Sequence, residues 1–228
     1  MQDFLINYGP LVLQGLKDTA YMVLFSSFFA YVLGLPMGIA LYTTKPGGLL
    51  EHKGFYGVLK FYSILGWGIN IFRSIPFIIL FVTLMPFTRL IAGKAIGPSA
   101  AIVSLTIGAC PFVARLVEST LEEIDKGVIE ACQCMGASPW QIITKVLISE
   151  SLPSIIRGLS MTIITLMGYS AIAGAVGAGG LGDIAIRYGL HRGQTSVMYL
   201  TVVIIILIVS IIQGSLDHLA KITDKRNA

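Results

Sequence analysis

Residues 125–153, DKGVIEACQCMGASPWQIITKVLISESLP, form a polar interruption between long apolar runs and carry their own helix punctuation. Asp125 is placed to cap a short helix whose apolar face is Val128, Cys132 and Met135, spaced i, i+4, i+7. Gly136 then stands at the C′ position, where the chain must turn left-handed and glycine does so without steric cost. Two residues on, Ser138-Pro139-Trp140-Gln141 reads as a second helix start. Ser138 takes the N-cap, Pro139 sits at N1, and Gln141 completes a capping box. Trp140, Ile143 and Leu147 fall on one side of that second helix. Two short helices joined at a glycine elbow, held between membrane spans, make a rigid knob suited to docking on another protein.

The flanking composition is that of a membrane protein. Of 228 residues 55% are hydrophobic and 12% charged, with a mean hydropathy of +0.81. Soluble domains carry about 25% charged residues, so half that figure over several apolar runs reads as a polytopic chain. No basic block with interleaved aromatics points to nucleic acid. A cleavable signal peptide is not expected: Asp3 precedes the first apolar run, no basic segment leads it, and the run is too long. The three cysteines, Cys110, Cys132 and Cys134, form no CxxC and have no histidine nearby, which argues against a disulfide framework or a metal site.

A hydrocarbon core of about 30 Å takes about 20 apolar residues per helix. Five spans are predicted, near residues 20–42, 74–90, 99–117, 159–174 and 197–213. Gly34, Pro36 and Gly38 in the first allow close packing or a bend. Residues 55–72 are apolar but carry Lys60, three glycines and Asn70. Only Arg73 and Ser74 separate them from the next run, too few for a membrane hairpin, so they are read as a helix on or entering the interface. With the knob inside, the inner segments hold Lys45, Lys53, Lys60, Arg73, Arg115, Lys126, Lys145, Arg157, Lys221, Lys225 and Arg226. The outer ones hold Lys17, Arg89, Lys94, Arg187 and Arg192. Eleven against five predicts the N-terminus outside and the C-terminus in the cytoplasm.

No GxxxxGK[ST] occurs, so this chain has no P-loop and ATP-driven transport needs a separate motor. Gly177-Ala178-Gly179-Gly180-Leu181-Gly182 is a literal GxGxxG, yet a membrane helix precedes it. Asp183 lies too close, and Asp217 too far, for the acidic residue of a dinucleotide fold. The motif is read as a tightly packed chain reversal at the outer mouth. Pro76 in NIFRSIPF removes a backbone donor, and Ser74 can satisfy part of what is freed. Arg73 is placed to reach lipid phosphate. Arg115 and Glu118 share a helical face and read as a structural ion pair. His52, His191 and His218 are far apart, and no nucleophile–base or paired-carboxylate arrangement stands out, so neither catalysis nor a bound cofactor or metal is expected in this chain.

The loop resembles the EAA loop of ABC-importer permeases, the element that contacts the ATPase. Glu130-Ala131-Cys132, three residues, Gly136, nine residues and Val146-Leu147-Ile148 carry the likeness. Cys132 stands where that pattern usually has alanine, and Ser149 where it usually has proline. Losing the proline lets the second helix run on past Ser149, with Pro153 then marking the start of the next span. NIFRSIPFIIL at 70–80, MPFTR at 85–89 and GYSAIAGAVGAGGLGDI at 168–184 are similar to the methionine-uptake branch of these permeases. Ile172 is a departure, since the branch is expected to carry methionine there.

The resemblance implies an all-α integral membrane protein, a type I ABC-importer permease, in the bacterial cytoplasmic (inner) membrane. It implies a second copy of the chain, two ATPase subunits and a substrate-binding protein on the outer face. Glu130, Ala131, Gly136, Ser138, Pro139 and Trp140 are then the residues expected to couple to the ATPase. Ser74, Pro76 and Phe77, with Tyr169, Ser170 and Ile172, are expected to line or gate the path. An importer of another small amino acid is the nearest alternative. A secondary transporter would want acidic residues inside its spans, and the five spans hold none. The nearest, Glu118, falls just past the third span's inner end.

Overall fold

The computed structural model describes residues 2–50 and 55–224, and the described residues form helices joined by short turns, with no strand. In chain order the helices are α1 (Gln2–Thr44), α2 (Phe55–Ser74), α3 (Phe77–Thr83), α4 (Met85–Ala92), α5 (Pro98–Glu122) and α6 (Lys126–Cys134). They continue as α7 (Pro139–Gln141), α8 (Ile148–Ala175), α9 (Gly180–Ile184) and α10 (Thr195–Thr223). Two π-helical stretches, Ile142–Leu147 and Ala185–Leu190, join α7 to α8 and follow α9. His52, and Lys53, Lys225 and Arg226, counted above among the inner basic residues, lie outside the described residues.

Four stretches are long and apolar enough to cross a membrane: Tyr8–Thr44, Pro98–Glu122, Pro139–Ala175 and Thr195–Thr223. The broken pair Gly57–Ser74 and Phe77–Thr83 makes a fifth if counted as one span. At 1.5 Å per residue the 37-residue helices are about 55 Å long, well beyond a hydrocarbon core of about 30 Å. The expected first and fourth spans, 20–42 and 159–174, are therefore segments of longer helices. Apolar windows locate what lies in lipid; helix formation continues wherever no residue stops it.

The expected second span, 74–90, is not one helix. Pro76 stands outside α3 at φ −55° and ψ 133°, and Leu84 separates α3 from α4. Pro86, near the start of α4, cannot donate back to the α3 carbonyls, so the ladder stops. Pro153 is a second correction. It marks no helix start but lies inside α8, because the helix entered at Pro139 continues through the wider π turn and past Ser149. His218 stands within α10.

The chain divides into two units whose boundaries fall inside α1, α5, α8 and α10 and at the end of α2. One comprises Ala30–Ser74, Cys110–Ser160 and the residues from Ser215 on. Within it α1 lies close against α5 at a GxxxG pair. A Cβ on Gly34 would come within 2.8 Å of Val113, and one on Gly38 within 2.6 Å of Val117 and of the Ala114 carbonyl. The glycines at 34 and 38 thus serve close approach, as small-xxx-small pairs do in bilayers. Leu41, Ile69 and Ala114 make a core, flanked by Met37, Tyr62 and Leu65. The helix read as interfacial, α2, is packed by this face onto α1 and α5, and leaves Phe61, Ile64 and Trp67 exposed.

The other unit comprises the residues up to Phe29, Ile75–Ala109 and Met161–Gly214. Phe77 of α3 packs over the bare backbone of Gly108, where a Cβ would lie 3.2 Å from its ring. The Thr88 and Ser104 hydroxyls, both buried, are 3.2 Å apart and join α4 to α5.

Candidate functional site

The elbow is built as its sequence implies. The Asp125 carboxylate accepts from the Gly127 N–H at 2.8 Å and caps α6. At the other end Gly136 has φ 80°. The Ala137 N–H donates to the Cys132 carbonyl at 3.0 Å, and the Gly136 N–H to the Gln133 carbonyl at 2.9 Å. These are the two bonds of a Schellman motif with glycine at C′. Ser138 then opens the next helix. Its hydroxyl accepts from the Gln141 N–H at 3.3 Å, and Gln141 Oε1 accepts from the Ser138 N–H at 2.8 Å. Two helix ends with their orphan groups satisfied, one residue apart, leave little freedom between α6 and α7.

The apolar faces do not pack as the periodicity suggests. No residue of α6 is buried, Val128 is exposed, and Met135, just past its end, is 79% exposed. Trp140, expected on one side with Ile143 and Leu147, is instead 72% exposed, while Ile142, Ile143 and Leu147 are buried. The i→i+5 bonding of the π turn adds residues per turn and rotates Trp140 off the buried face. Glu130, Ala131 and Ser138 are also exposed, so among the described residues the knob presents Val128, Met135 and Trp140 exposed between polar groups.

Beside α6 opens a cleft of about 210 Å³, lined among others by Tyr42, Lys45, Glu122, Lys126, Glu130 and Gln133. Lys45 Nζ lies 2.8 Å from Glu122 Oε1 and 4.4 Å above the Tyr42 ring, which ties the end of α1 to the end of α5.

Of the expected path residues, Phe77 and Tyr169 are brought together. Their rings stack at 4.2 Å between centroids with planes 1° apart, and Phe81 packs against Phe77 at 5.9 Å. Ser170 is buried, and its hydroxyl donates to the Met167 carbonyl at 2.8 Å, so it is committed to its own helix. Ile172 is 38% exposed. Pro76 and Ser74 are exposed. The Ser74 hydroxyl donates to the Asn70 carbonyl at 2.8 Å, one turn back in α2.

The glycine-rich turn is a close approach of backbones. Gly177, Gly179 and Gly180 have φ of 92°, 85° and 85°. A Cβ on Gly174 would come within 2.5 Å of the Asp183 backbone nitrogen, and one on Gly182 would run into Ala171. Thr19 of α1, which nothing in the sequence marked, accepts the buried Leu181 N–H at 2.9 Å. The GxGxxG run thus serves close packing of backbones. Arg187 pairs with Asp183 at 2.5 Å on the following turn.

Arg115 and Glu118 pair at 2.6 Å as the sequence implies. Glu118, expected just past the third span, lies inside α5 and is 6% exposed. The helix continues to Glu122, so the residue falls within the candidate span Pro98–Glu122. Asn70, overlooked as a partner, accepts from Arg115 Nη2 at 3.1 Å.

The family model described as "Binding-protein-dependent transport system inner membrane component" matches residues 19–227. A Vibrio cholerae protein described as "Probable D-methionine transport system permease protein MetI" is 49% identical over 225 residues, covering 99% of this chain and 97% of that protein. The Yersinia pestis "D-methionine transport system permease protein MetI" is 51% identical over 164 residues, 72% of this chain and 73% of the relative. Among solved structures, an inward-facing form of the MetNI methionine ABC transporter superposes with a TM-score of 0.90 at 46% identity, covering 95% of this chain and 98% of that one.

Proposed function

The chain belongs to the family of binding-protein-dependent transport system inner membrane components, and from that premise we propose that it is the permease of an ATP-driven methionine importer. It is a multi-pass component of the inner membrane. Likeness to D-methionine permeases over 99% of the chain at 49% identity is the observation that carries the substrate. In this reading two copies enclose the path, two ATPase subunits dock on the two knobs, and a binding protein delivers methionine from outside. ATP is hydrolysed in the partner, and this chain carries no cofactor of its own.

The capped elbow supports the docking role. It fixes α6 against α7 and leaves Met135 and Trp140 exposed on the side a partner would cover. Phe77 and Ile172 offer apolar contact suited to a thioether. Polar or backbone groups near Pro76 suit the charged head of the amino acid. The basic residues favour the knob on the cytoplasmic side and the N-terminus outside. Ile172, standing where the methionine branch is expected to carry methionine, keeps a second reading in play, the import of another small amino acid. A secondary transporter is disfavoured because Glu118, the acidic residue buried in a span, is already paired with Arg115.

Co-purification in mild detergent tests the assembly. The expected partners are a P-loop ATPase and a binding protein that binds methionine in equilibrium dialysis. Recovery of a binding protein that takes another amino acid and leaves methionine would overturn the substrate. A chain that purifies without any ATPase would overturn the importer reading.

A further inference from the structure

Arg115 carries two sets of contacts. Its Nη1 holds Glu118 Oε2 at 2.6 Å within α5, while its Nη2 donates to Asn70 Oδ1 at 3.1 Å and reaches the Gly66 carbonyl at 3.4 Å, both in α2. Gly66 offers bare backbone here, for a Cβ would lie 3.3 Å from Nη2. Burying an ion pair costs several kcal/mol of desolvation, and apolar side chains of like volume hold two helices together as well or better. What the planar guanidinium adds is direction: its fork fixes the partner's position along and around the helix.

The place of this clasp gives that direction a use. Beyond Glu118, α5 ends at Glu122, and Asp125, three residues later, opens the docking loop. Beyond Asn70, α2 ends at Ser74, and Ile75, Pro76 and Phe77 follow. We infer that Asn70 and Arg115 are positioning residues that make α2 move with the end of α5 that bears the knob. They carry a displacement of the docking loop to the corner at residues 74–77. The inference rests on the permease reading above.

The test uses the complete reconstituted transporter, with its ATPase and binding protein, and reads methionine taken up per ATP hydrolysed. Asn70→Leu removes the shorter of the two Nη2 contacts to α2, leaving the one to the Gly66 carbonyl, and keeps the Arg115–Glu118 pair intact. The assembled complex is expected to keep hydrolysing ATP while uptake per ATP falls about tenfold, the measure of one charge-assisted hydrogen bond. Asn70→Asp keeps an acceptor for the guanidinium and should retain the wild-type ratio. Gly66→Ala, which presses on Nη2, should lower it as Asn70→Leu does. A purely structural staple would change melting temperature and yield without moving the ratio. If either assembled disrupting variant pumps at the wild-type ratio, or if Asn70→Asp falls as far as Asn70→Leu, the inference is overturned. It is equally overturned if neither disrupting variant assembles, since the clasp is then a fold requirement. Failure of the wild-type complex to move methionine would strike the permease reading instead.

Discussion

Gly136→Val isolates the elbow. The glycine sits at φ 80°, and a Cβ there would meet no atom within 4 Å. The penalty is therefore backbone strain alone, with no steric clash against a neighbour. A left-handed conformation costs an L-residue about 1–2 kcal/mol, and a β-branched side chain stands at the upper end. The competing outcome is to leave that conformation and give up the bonds from Ala137 to Cys132 and from Gly136 to Gln133, at about 1 kcal/mol each. The two routes each cost about 2 kcal/mol, so valine should lower the ratio of native to rearranged elbow about 30-fold and leave the two about equally populated. Gly136→Asn, which tolerates the left-handed region, should stay close to wild type. The assay is recovery of the ATPase with the affinity-tagged permease, followed by uptake in proteoliposomes. Membrane insertion should be unchanged, since Gly136 lies outside every candidate span. Equal recovery and equal uptake for the valine and asparagine variants would refute the reasoning.

Other expectations follow from the same geometry. Gly174→Ala places a Cβ 2.5 Å from the Asp183 nitrogen. It should cost about 1–3 kcal/mol, read as a lowered melting temperature in detergent, whereas Gly168→Ala, with open space around it, should not. Tyr169→Leu removes the stack on Phe77 and should lose about 1 kcal/mol more than Tyr169→Phe, which keeps it; equal melting temperatures would show that the stack adds nothing. Arg115→Met leaves Glu118 buried without its cation and should cost about 3–5 kcal/mol, seen as lost monodisperse protein. Ile172→Cys should crosslink between two copies with a short reagent, in a yield that changes with bound nucleotide. A cysteine that never crosslinks and is labelled freely from the lipid phase would remove Ile172 from the path.

What could be read in the sequence was what is decided locally. The caps at Asp125 and Ser138 and the turn at Gly136 involve residues within three or four positions, so residue type and spacing suffice. The lengths of the helices were not legible in the same way. Hydropathy marked 20–42, but α1 runs through both Pro10 and Pro36. The rotation of Trp140 away from Ile143 depends on a π turn that no α-helical period anticipates. The contacts Asn70–Arg115, Phe77–Tyr169 and Thr19–Leu181 join residues 45, 92 and 162 positions apart. Periodicity along one helix holds no record of which face of another will meet it.

The most direct measurement is radiolabelled methionine accumulation in proteoliposomes holding the permease with its ATPase, with the binding protein supplied outside. The expected result is uptake against a gradient that needs ATP, the ATPase and the binding protein together. Accumulation by the permease alone would contradict an ATP-driven importer, and ATP-driven uptake of a different amino acid with methionine left behind would contradict the substrate.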